Sequence, residues 1–273
     1  MLLSNECYLK DKCYKHLSAV AKTLGISSKP KKDDLTGQVM VFTASELKKI
    51  RENIDNPQLE CNCNSTFCPK LFKVDYLFTE ALLSPKQKKH VELFLDDSKR
   101  DKDAYTQLAH IESNIEKFVS DGESLFIYSA TTGNGKTEWA LRLLREYINR
   151  IWHKSDLECR ALFVNVPRFL LAVKHSISET DEYADHIMKK ILTADLVVFD
   201  EVATKALTAF EHEHILSLIN ARMEMGKSNI YTSNLFNEEL RSRIGDRLYS
   251  RIATASTKIE FVESDKRGMK VTK

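Results

Sequence analysis

The segment SATTGNGKTEW, residues 129–139, carries the residue types that hold nucleotide phosphates in many proteins. Gly133 and Gly135 allow consecutive backbone N–H groups to turn inward around phosphate oxygens. Lys136 supplies a positive charge for the β- and γ-phosphates, and Thr137 supplies a hydroxyl for Mg²⁺. A helix that begins here adds the positive end of its dipole. We therefore predict a nucleotide site formed by Thr131, Thr132, Gly133, Asn134, Gly135, Lys136 and Thr137.

Ala130 stands at the first position of the phosphate-loop pattern ATTGNGKT, where the usual pattern has glycine. Alanine can serve at this position unless the backbone requires a positive φ angle. A Gly-Lys-Thr turn that arises by chance is the alternative explanation. An apolar run before the segment and helical periodicity after it favour the phosphate loop.

Asp200 and Glu201 follow four apolar residues, Leu196–Phe199, in a second informative segment. An acid at the tip of a parallel strand beside a phosphate loop can hold the Mg²⁺ shell. The next acid can polarise a water molecule for attack on the γ-phosphate. Two solvated acids at a strand end are the alternative, but the presence of the phosphate loop favours the catalytic interpretation.

Thr232, Ser233 and Asn234 form a polar tip at the end of a later apolar segment, 229–234. A polar tip between two nucleotide motifs can orient the attacking water. Ser and Asn also favour the N-cap of a helix, which is the structural alternative.

Three arginines, Arg243, Arg247 and Arg251, are spaced by four residues in LRSRIGDRLYSRI. In a continuous helix this spacing places them on one face, although Gly245 can interrupt the helix. An arginine on such a face can reach the γ-phosphate bound by a neighbouring subunit. A solvated basic face is the alternative.

The elements that must position these residues are short apolar strands alternating with segments of helical periodicity. The strands are predicted at 124–130, 161–166, 195–201, 229–234 and 257–262. Gly122 and Gly226 are predicted to end the helices that precede the strands at 124–130 and 229–234. Strands that alternate with helices predict an α/β fold, with a parallel sheet covered on both faces.

Four motifs, ATTGNGKT, LVVFDE, YTSN and DRLYSRI, occur in the order and spacing that resembles the DnaC/DnaI-type replicative helicase loaders, which are AAA+ ATPases. The resemblance covers about residues 108–267. It implies a P-loop AAA+ parallel five-stranded sheet without a lid domain, since only about eleven residues follow Val262. It also implies the site roles: Walker A at Lys136 and Thr137, Walker B at Asp200 and Glu201, sensor 1 at Asn234, and an arginine finger at Arg251 with Arg247 beside it.

The composition indicates a soluble globular protein of 273 residues, with 42% hydrophobic residues and a net charge of +2. No apolar run approaches the ~20 residues that span a bilayer. The N-terminus lacks the basic start and apolar core of a signal peptide. We therefore expect a cytoplasmic protein of a bacterial cell, encoded by the bacterium or by a phage, without a membrane partner. Any nucleic-acid contact is expected to be confined to a local patch.

Five cysteines are clustered in the first quarter of the chain: Cys7, Cys13, Cys61, Cys63 and Cys68. In a reducing cytosol such a cluster favours metal binding over disulfides. Zn²⁺ takes four N or S ligands, and the spacing does not choose four among these cysteines and His16. A small core with reduced thiols is the alternative to a zinc site.

Three regions follow from these patterns. Residues 1–83 are predicted to form a small, cysteine-rich, mainly helical domain, and the resemblance implies that this domain interacts with a helicase. Residues 84–107 are dense in charge and are predicted to be a linker. Residues 108–273 are predicted to form the AAA+ ATPase domain. An apolar helical stripe at the end of the first region is expected to form core or to dock a partner helix; it contains Leu71, Val74, Leu77, Phe78 and Leu82.

The resemblance implies an ATP-dependent loader that delivers a DnaB-type hexameric helicase to single-stranded DNA during replication, as a homo-oligomer on the helicase. It implies weak ATP hydrolysis, stimulated by DNA or partner, with ATP and Mg²⁺. An extra helix near 168–175 is expected to contact DNA through Arg168, Lys174 and His175, with a solvated helix face as the alternative. Two other functions stay open: an IstB-like transposition ATPase, which the cysteine-rich region disfavours, and a nucleotide-switched adaptor without productive hydrolysis.

Overall fold

The computed structural model describes residues 14–29, 31–32, 39–53, 69–91, 93, 95, 99–155, 157–158, 160–178, 182–263 and 265–266. The chain divides into two compact units, Met1–Cys68 and Pro69–Lys273. In the described residues, no helix is both long enough and apolar enough to cross a membrane.

Among its described residues, the first unit contains the helices α1 (Tyr14–Thr23) and α2 (Ala44–Glu52) and an antiparallel ribbon of β1 (Lys31–Lys32) and β2 (Val39–Met40). A capping box starts α2, because the side chains of Thr43 and Glu46 each accept from the other's backbone N–H. The apolar core of this unit is small; it comprises Leu17, Val20, Ala21, Phe42 and Ile50. The five clustered cysteines lie outside the described residues.

The second unit holds the nucleotide motifs. Its elements are α3 (Pro69–Glu80), α4 (Lys102–Ser113), α5 (Ile115–Ser120), β3 (Ser124–Tyr128), α6 (Lys136–Ile151), β4 (Ala161–Asn165), α7 (Val166–Ser178), α8 (Glu182–Thr193), β5 (Leu196–Asp200), α9 (Ala209–Glu224), β6 (Ser228–Ser233), α10 (Asn237–Tyr249), a π-helical turn (Ser250–Thr254) and β7 (Thr257–Glu260).

The five strands of the second unit form one parallel sheet in the order β4-β5-β6-β3-β7. The predicted five-stranded parallel sheet is therefore confirmed, with each strand within two residues of its expected bounds. All carboxyl ends of the strands meet at one edge of the sheet. The order places β5 between β4 and β6, so that Asn165 pairs with Asp200 in register.

Both faces of the sheet are covered, and the strands β3 and β5 are accordingly rich in buried apolar residues. Phe126 and Tyr128 of β3 join a core cluster with residues of α7, α8, α9 and α10. Leu125 and Ile127 alternate with these residues along β3, so their side chains face the other side of the sheet, and they are also fully buried. The helix α6 contacts β3, and α3, α4 and α5 each contact α6. Helices on both faces of a parallel sheet are the predicted α/β arrangement.

The helix α3 belongs to the second unit, although the sequence placed it with residues 1–83. It packs against α6, and its side chains Val74, Leu77 and Phe78 are buried. The chain after α3 also reaches the sheet, since the Phe163 N–H donates to the Ala81 carbonyl at 3.0 Å. Because β4 is an edge strand, this bond satisfies a group that would otherwise lack a partner. The division between units therefore falls after residue 68 rather than after residue 83.

The expected linker, 84–107, is packed at its carboxyl-terminal end. Asp101 is buried, and α4 begins directly after it. The Tyr105 ring meets the Trp139 ring of α6 edge-on, with 5.1 Å between centroids. The helices α4 and α5 are divided at Asn114, whose side-chain amide donates to the His110 carbonyl and closes α4.

Candidate nucleotide-binding site

The phosphate loop joins β3 to α6 at the carboxyl edge of the sheet. Gly133 and Gly135 adopt positive φ angles of 73° and 102°, which a residue with a Cβ rarely takes. Ala130 does not have a positive φ, so alanine adds no backbone strain where the usual pattern has glycine. The loop therefore places glycine where the backbone needs it.

Hydrogen bonds inside the loop hold its lysine in place. Lys136 is buried, and its Nζ donates to the Thr131 carbonyl at 2.8 Å and to Asn134 Oδ1 at 3.0 Å. The amide nitrogen of Asn134 donates to Ser129 Oγ at 2.5 Å and to Thr131 Oγ1 at 3.1 Å. The ammonium group is thus fixed at the mouth of the loop, where phosphate oxygens would compete for its protons.

Asp200 joins the loop to the strands beside it. Its Oδ1 accepts from Thr137 Oγ1 at 2.8 Å and from Thr232 Oγ1 at 2.7 Å. Burial raises the pKa of Asp200, and nearby Glu201 raises it further, whereas the hydroxyl donors lower it. Carboxylate and hydroxyl oxygens are the hard donors that Mg²⁺ prefers, so Thr137 and Asp200 fit a magnesium site.

Glu201 lies just past β5 with a left-handed backbone, φ 60°. Its N–H donates to Thr232 Oγ1 at 3.0 Å, and its Oε2 accepts from Asn165 Nδ2 at 3.1 Å. A left-handed non-glycine residue stores strain, which is a common property of functional sites. The carboxylate is therefore held toward β4 by a single amide.

Asn165 was missed by the sequence analysis. Its Oδ1 accepts from the Arg168 N–H at 3.2 Å, at the start of α7, while its Nδ2 donates to Glu201. These two bonds fix which way the amide faces. The available signal was a polar residue that ends an apolar strand, but only the strand order shows that this residue lies opposite Asp200.

Thr232 belongs to the predicted polar tip of β6, and it is the residue of that tip that contacts the two acids. The polar tip of β6 reaches Asp200 and Glu201 through Thr232, whereas Asn234 follows the strand and is half-buried. Ser233 accepts from the Leu235 N–H at 2.9 Å, in a local turn. The structure describes no hydrogen bond of the Asn234 side chain, so its role as sensor 1 stays a prediction.

The arginines predicted to share one helix face are separated by a kink. Gly245 has non-helical angles, φ 76° and ψ 161°, inside α10. Arg243 precedes the kink, Arg247 follows it, and Arg251 lies on the π-helical turn. All three are exposed, and in the described part of the chain neither Arg247 nor Arg251 makes an ion pair. Their role as an arginine finger stays a prediction.

The DNA-contact candidates lie on α7, directly after Asn165. Arg168 and His175 are exposed, whereas the Lys174 ammonium pairs with the buried Glu211 carboxylate at 3.0 Å. Lys174 therefore stabilises the start of α9, and the other two residues are more accessible. A cavity of about 470 Å³ opens beside Arg168 and is lined by Asn165 and Asp200.

These features define a P-loop α/β protein with the AAA+ fold. Two solved structures are similar to it. A DnaC helicase loader has 18% identity, covers 65% of this chain and 99% of its own, and has a TM-score of 0.51. DnaI has 18% identity, covers 68% and 94%, and has a TM-score of 0.52. The resemblance predicted from the motifs is thus confirmed at the level of the fold. No family model and no curated protein matches the chain.

Proposed function

We propose that this protein binds and hydrolyses ATP with Mg²⁺, and that it loads a DnaB-type hexameric helicase onto single-stranded DNA. The observation that carries the proposal is the contact of Asp200 with both Thr137 and Thr232. It joins the phosphate loop to the tips of two neighbouring strands. Solvated acids at a strand end have no reason to be buried and bonded in this way.

Each residue of this network has a separate task. Lys136 and the loop N–H groups bind the β- and γ-phosphates, and Thr137 with Asp200 would hold Mg²⁺. A bound Mg²⁺ neutralises phosphate charge. Glu201 accepts the proton of the attacking water, for which its carboxylate must be free to face the nucleotide.

The two bonds of Asn165 explain why we expect basal ATP hydrolysis to be weak and to be stimulated by DNA or a partner. Its amide holds Glu201, and the same amide caps α7, the helix that carries Arg168 and His175. A ligand that moves the first turn of α7 therefore also moves the group that holds Glu201. Release of Glu201 would raise the hydrolysis rate without any change in the phosphate loop.

The exposed arginines favour a homo-oligomer. Arg247 and Arg251 are exposed and make no ion pair among the described residues. A cation supplied by a neighbouring subunit stabilises the charge that develops on the transferred phosphate. We assign this task to Arg251, with Arg247 beside it, so that hydrolysis needs two subunits.

Single-turnover hydrolysis separates the candidate functions. The purified protein is incubated with ATP and Mg²⁺ alone, with single-stranded DNA, and with DNA plus a DnaB-type helicase. A loader shows slow hydrolysis that the helicase and DNA accelerate, and the helicase becomes bound to DNA. Stimulation by duplex DNA without a helicase would favour the IstB-like function, and tight ATP binding without turnover in any mixture would favour the adaptor.

A mixing experiment tests the arginine finger. Arg251→Ala and Lys136→Ala proteins are each expected to be inactive, but a mixture contains interfaces with one intact loop and one intact arginine. We expect part of the activity to return in the mixture. No return in a mixture that is shown to co-assemble would mean that Arg251 acts within its own subunit.

We also propose that the first unit docks the helicase and contains zinc. Hydrogen exchange on the full chain should show protection within residues 14–53 when the helicase is added, without ATP. Protection confined to 108–266 would reverse this assignment. Elemental analysis of freshly reduced protein should find about one Zn²⁺ per chain, and its absence would remove zinc from the proposal.

A further inference from the structure

The chain that follows β7 crosses the phosphate loop. Thr131 Oγ1 donates to the Glu263 carbonyl at 2.9 Å, and the Lys266 N–H donates to the Gly133 carbonyl at 2.9 Å. Phe261 and Glu263 are buried. The end of the second unit is therefore fastened to the loop itself, through two bonds to loop residues.

A buried cluster of charges anchors this segment on its other side. The Lys266 ammonium donates to Glu263 Oε2 at 2.7 Å and to the Tyr105 hydroxyl at 2.8 Å. Asp101, at the start of α4, donates its N–H to Glu263 Oε1 at 3.0 Å and accepts from the Val262 N–H at 2.7 Å. The Asp101 carboxylate also lies 3.8 Å from the Lys266 ammonium, so the carboxylates of Asp101 and Glu263 share one ammonium group.

The protonation of Lys266 supports this anchor. Burial lowers the pKa of Lys266, but the bonds to Glu263 and Tyr105 raise it by more, so the pKa lies above its ordinary value. The ammonium form is therefore retained at neutral pH. Because each carboxylate in the cluster is buried, loss of the ammonium would leave uncompensated charge.

Between these two attachments, the Asp265 carboxylate lies against the phosphate loop. A Cβ built on Gly133 would overlap the Asp265 carboxyl group, so the two residues are in direct contact. An anion therefore lies on a loop whose backbone and lysine attract anions. Phosphates bound to this loop would face a negative charge at close range.

We propose that Glu263, Asp265 and Lys266 form an inhibitory clasp, in which Asp265 limits nucleotide affinity and must move when nucleotide binds. The proposal rests on the proposed nucleotide function and goes beyond it. Glu263 and Lys266 hold the clasp, and Asp265 opposes the phosphates. The clasp also links loop occupancy to α4, because Asp101 and Tyr105 belong to the same cluster.

The first test is a titration of the full chain with ATP and Mg²⁺ by calorimetry. Asp265→Asn keeps the shape of the side chain and removes its charge, and Asp265 is exposed, so the fold should be retained. We expect the Kd for ATP to fall about tenfold, and the gain to shrink at high salt, where charges are screened. Glu224→Gln is the charge-matched control, because Glu224 is exposed and lies at the opposite edge of the sheet; its Kd should equal that of wild type.

An unchanged or higher Kd in Asp265→Asn would overturn the clasp. Failure of the nucleotide function itself would look different: wild type, Lys136→Ala and Asp265→Asn would all fail to bind ATP. If wild type binds ATP and Lys136→Ala does not, the loop is the nucleotide site. The ATP affinity of Asp265→Asn then tests the clasp alone.

Hydrogen exchange on the wild-type chain tests the movement. ATP should slow exchange in peptides from 130–137 and speed exchange in a peptide that contains Lys266, whose N–H bonds to Gly133. Slower exchange in both peptides would mean that the segment stays on the loop and helps to hold the nucleotide, which contradicts an inhibitory role.

Discussion

Two buried polar networks lie at opposite edges of the same sheet, and they differ in how completely their charges are satisfied. At the amino edge, Arg222 is fully buried and donates to the carbonyls of Ile191, Ala194 and Ser228 and to Asn229 Oδ1. At the carboxyl edge, Asp200 accepts two hydroxyl bonds, and no described cation pairs with it.

The difference separates a structural network from a functional one. Burial lowers the pKa of Arg222 to about 10, so the group stays charged at neutral pH and joins the end of α8 to α9 and β6. Burial instead raises the pKa of Asp200, and the adjacent Glu201 has a left-handed backbone. Charge and strain that reduce stability thus lie at the residues to which we assign the proposed chemistry.

The largest expected effect is at the amino edge. Arg222→Ala leaves several buried carbonyl groups without a donor and should lower the free energy of unfolding by about 3–5 kcal/mol. Chemical denaturation followed by circular dichroism measures this loss. Arg241→Ala is the control, because Arg241 forms exposed ion pairs with Glu238 and Asp246 and should cost less than about 1 kcal/mol. Equal losses in both variants would contradict the comparison.

At the carboxyl edge, Glu201→Gln should lower hydrolysis by at least about 100-fold while ATP binding is retained. The amide keeps the shape of the side chain but cannot accept the proton of the attacking water. Single-turnover hydrolysis and calorimetry measure the two quantities. Hydrolysis at the wild-type rate would show that Glu201 is not the base.

Asp200→Asn should change the unfolding free energy in the direction opposite to Arg222→Ala. Asparagine can still accept from Thr137 and Thr232 without a buried charge, so the unfolding free energy should rise by about 1 kcal/mol, while magnesium-dependent hydrolysis is lost.

The pH dependence of that gain follows from the raised pKa of Asp200. When folding raises the pKa of a carboxyl group, the folded protein loses stability as the pH rises through that pKa, because ionisation costs more in the folded state. A protein with asparagine at this position does not have this loss. The gain in unfolding free energy of Asp200→Asn over wild type should therefore be larger at about pH 8 than at about pH 5. Chemical denaturation of both proteins at both pH values measures this difference. A gain that grows as the pH falls would contradict the assignment.

The smallest effect concerns Asn165. Asn165→Ser keeps an N-cap acceptor for α7 but is too short to hold Glu201, so basal hydrolysis should rise about threefold and stimulation by DNA should fall. Asn165→Ala removes both contacts and should behave in the same way if the Glu201 contact is the one that matters. Lower basal hydrolysis in both variants would mean that Asn165 supports the active position of Glu201.

The sequence predicted the strands because each is a short apolar run bounded by polar residues or glycine, and the loop because its residue types are dictated by phosphate chemistry. It missed Asn165, and it included Thr232 in the polar tip of β6 without predicting its bonds to Asp200 and Glu201, because those contacts depend on which strands are neighbours. It also placed α3 with the wrong unit, since an apolar stripe does not say what covers it. The contact of Asp265 with Gly133 joins positions far apart in sequence and has no local signal.

Calorimetry of ATP binding in the presence of Mg²⁺ tests the central claim most directly. Wild type is compared with Lys136→Ala and with Lys189→Ala, a control that removes an exposed lysine from α8. We predict saturable binding by wild type and the control, and a loss of affinity of at least about 100-fold in Lys136→Ala, because the loop loses its cation. Equal ATP binding by all three proteins would contradict the assignment of the loop as the nucleotide site.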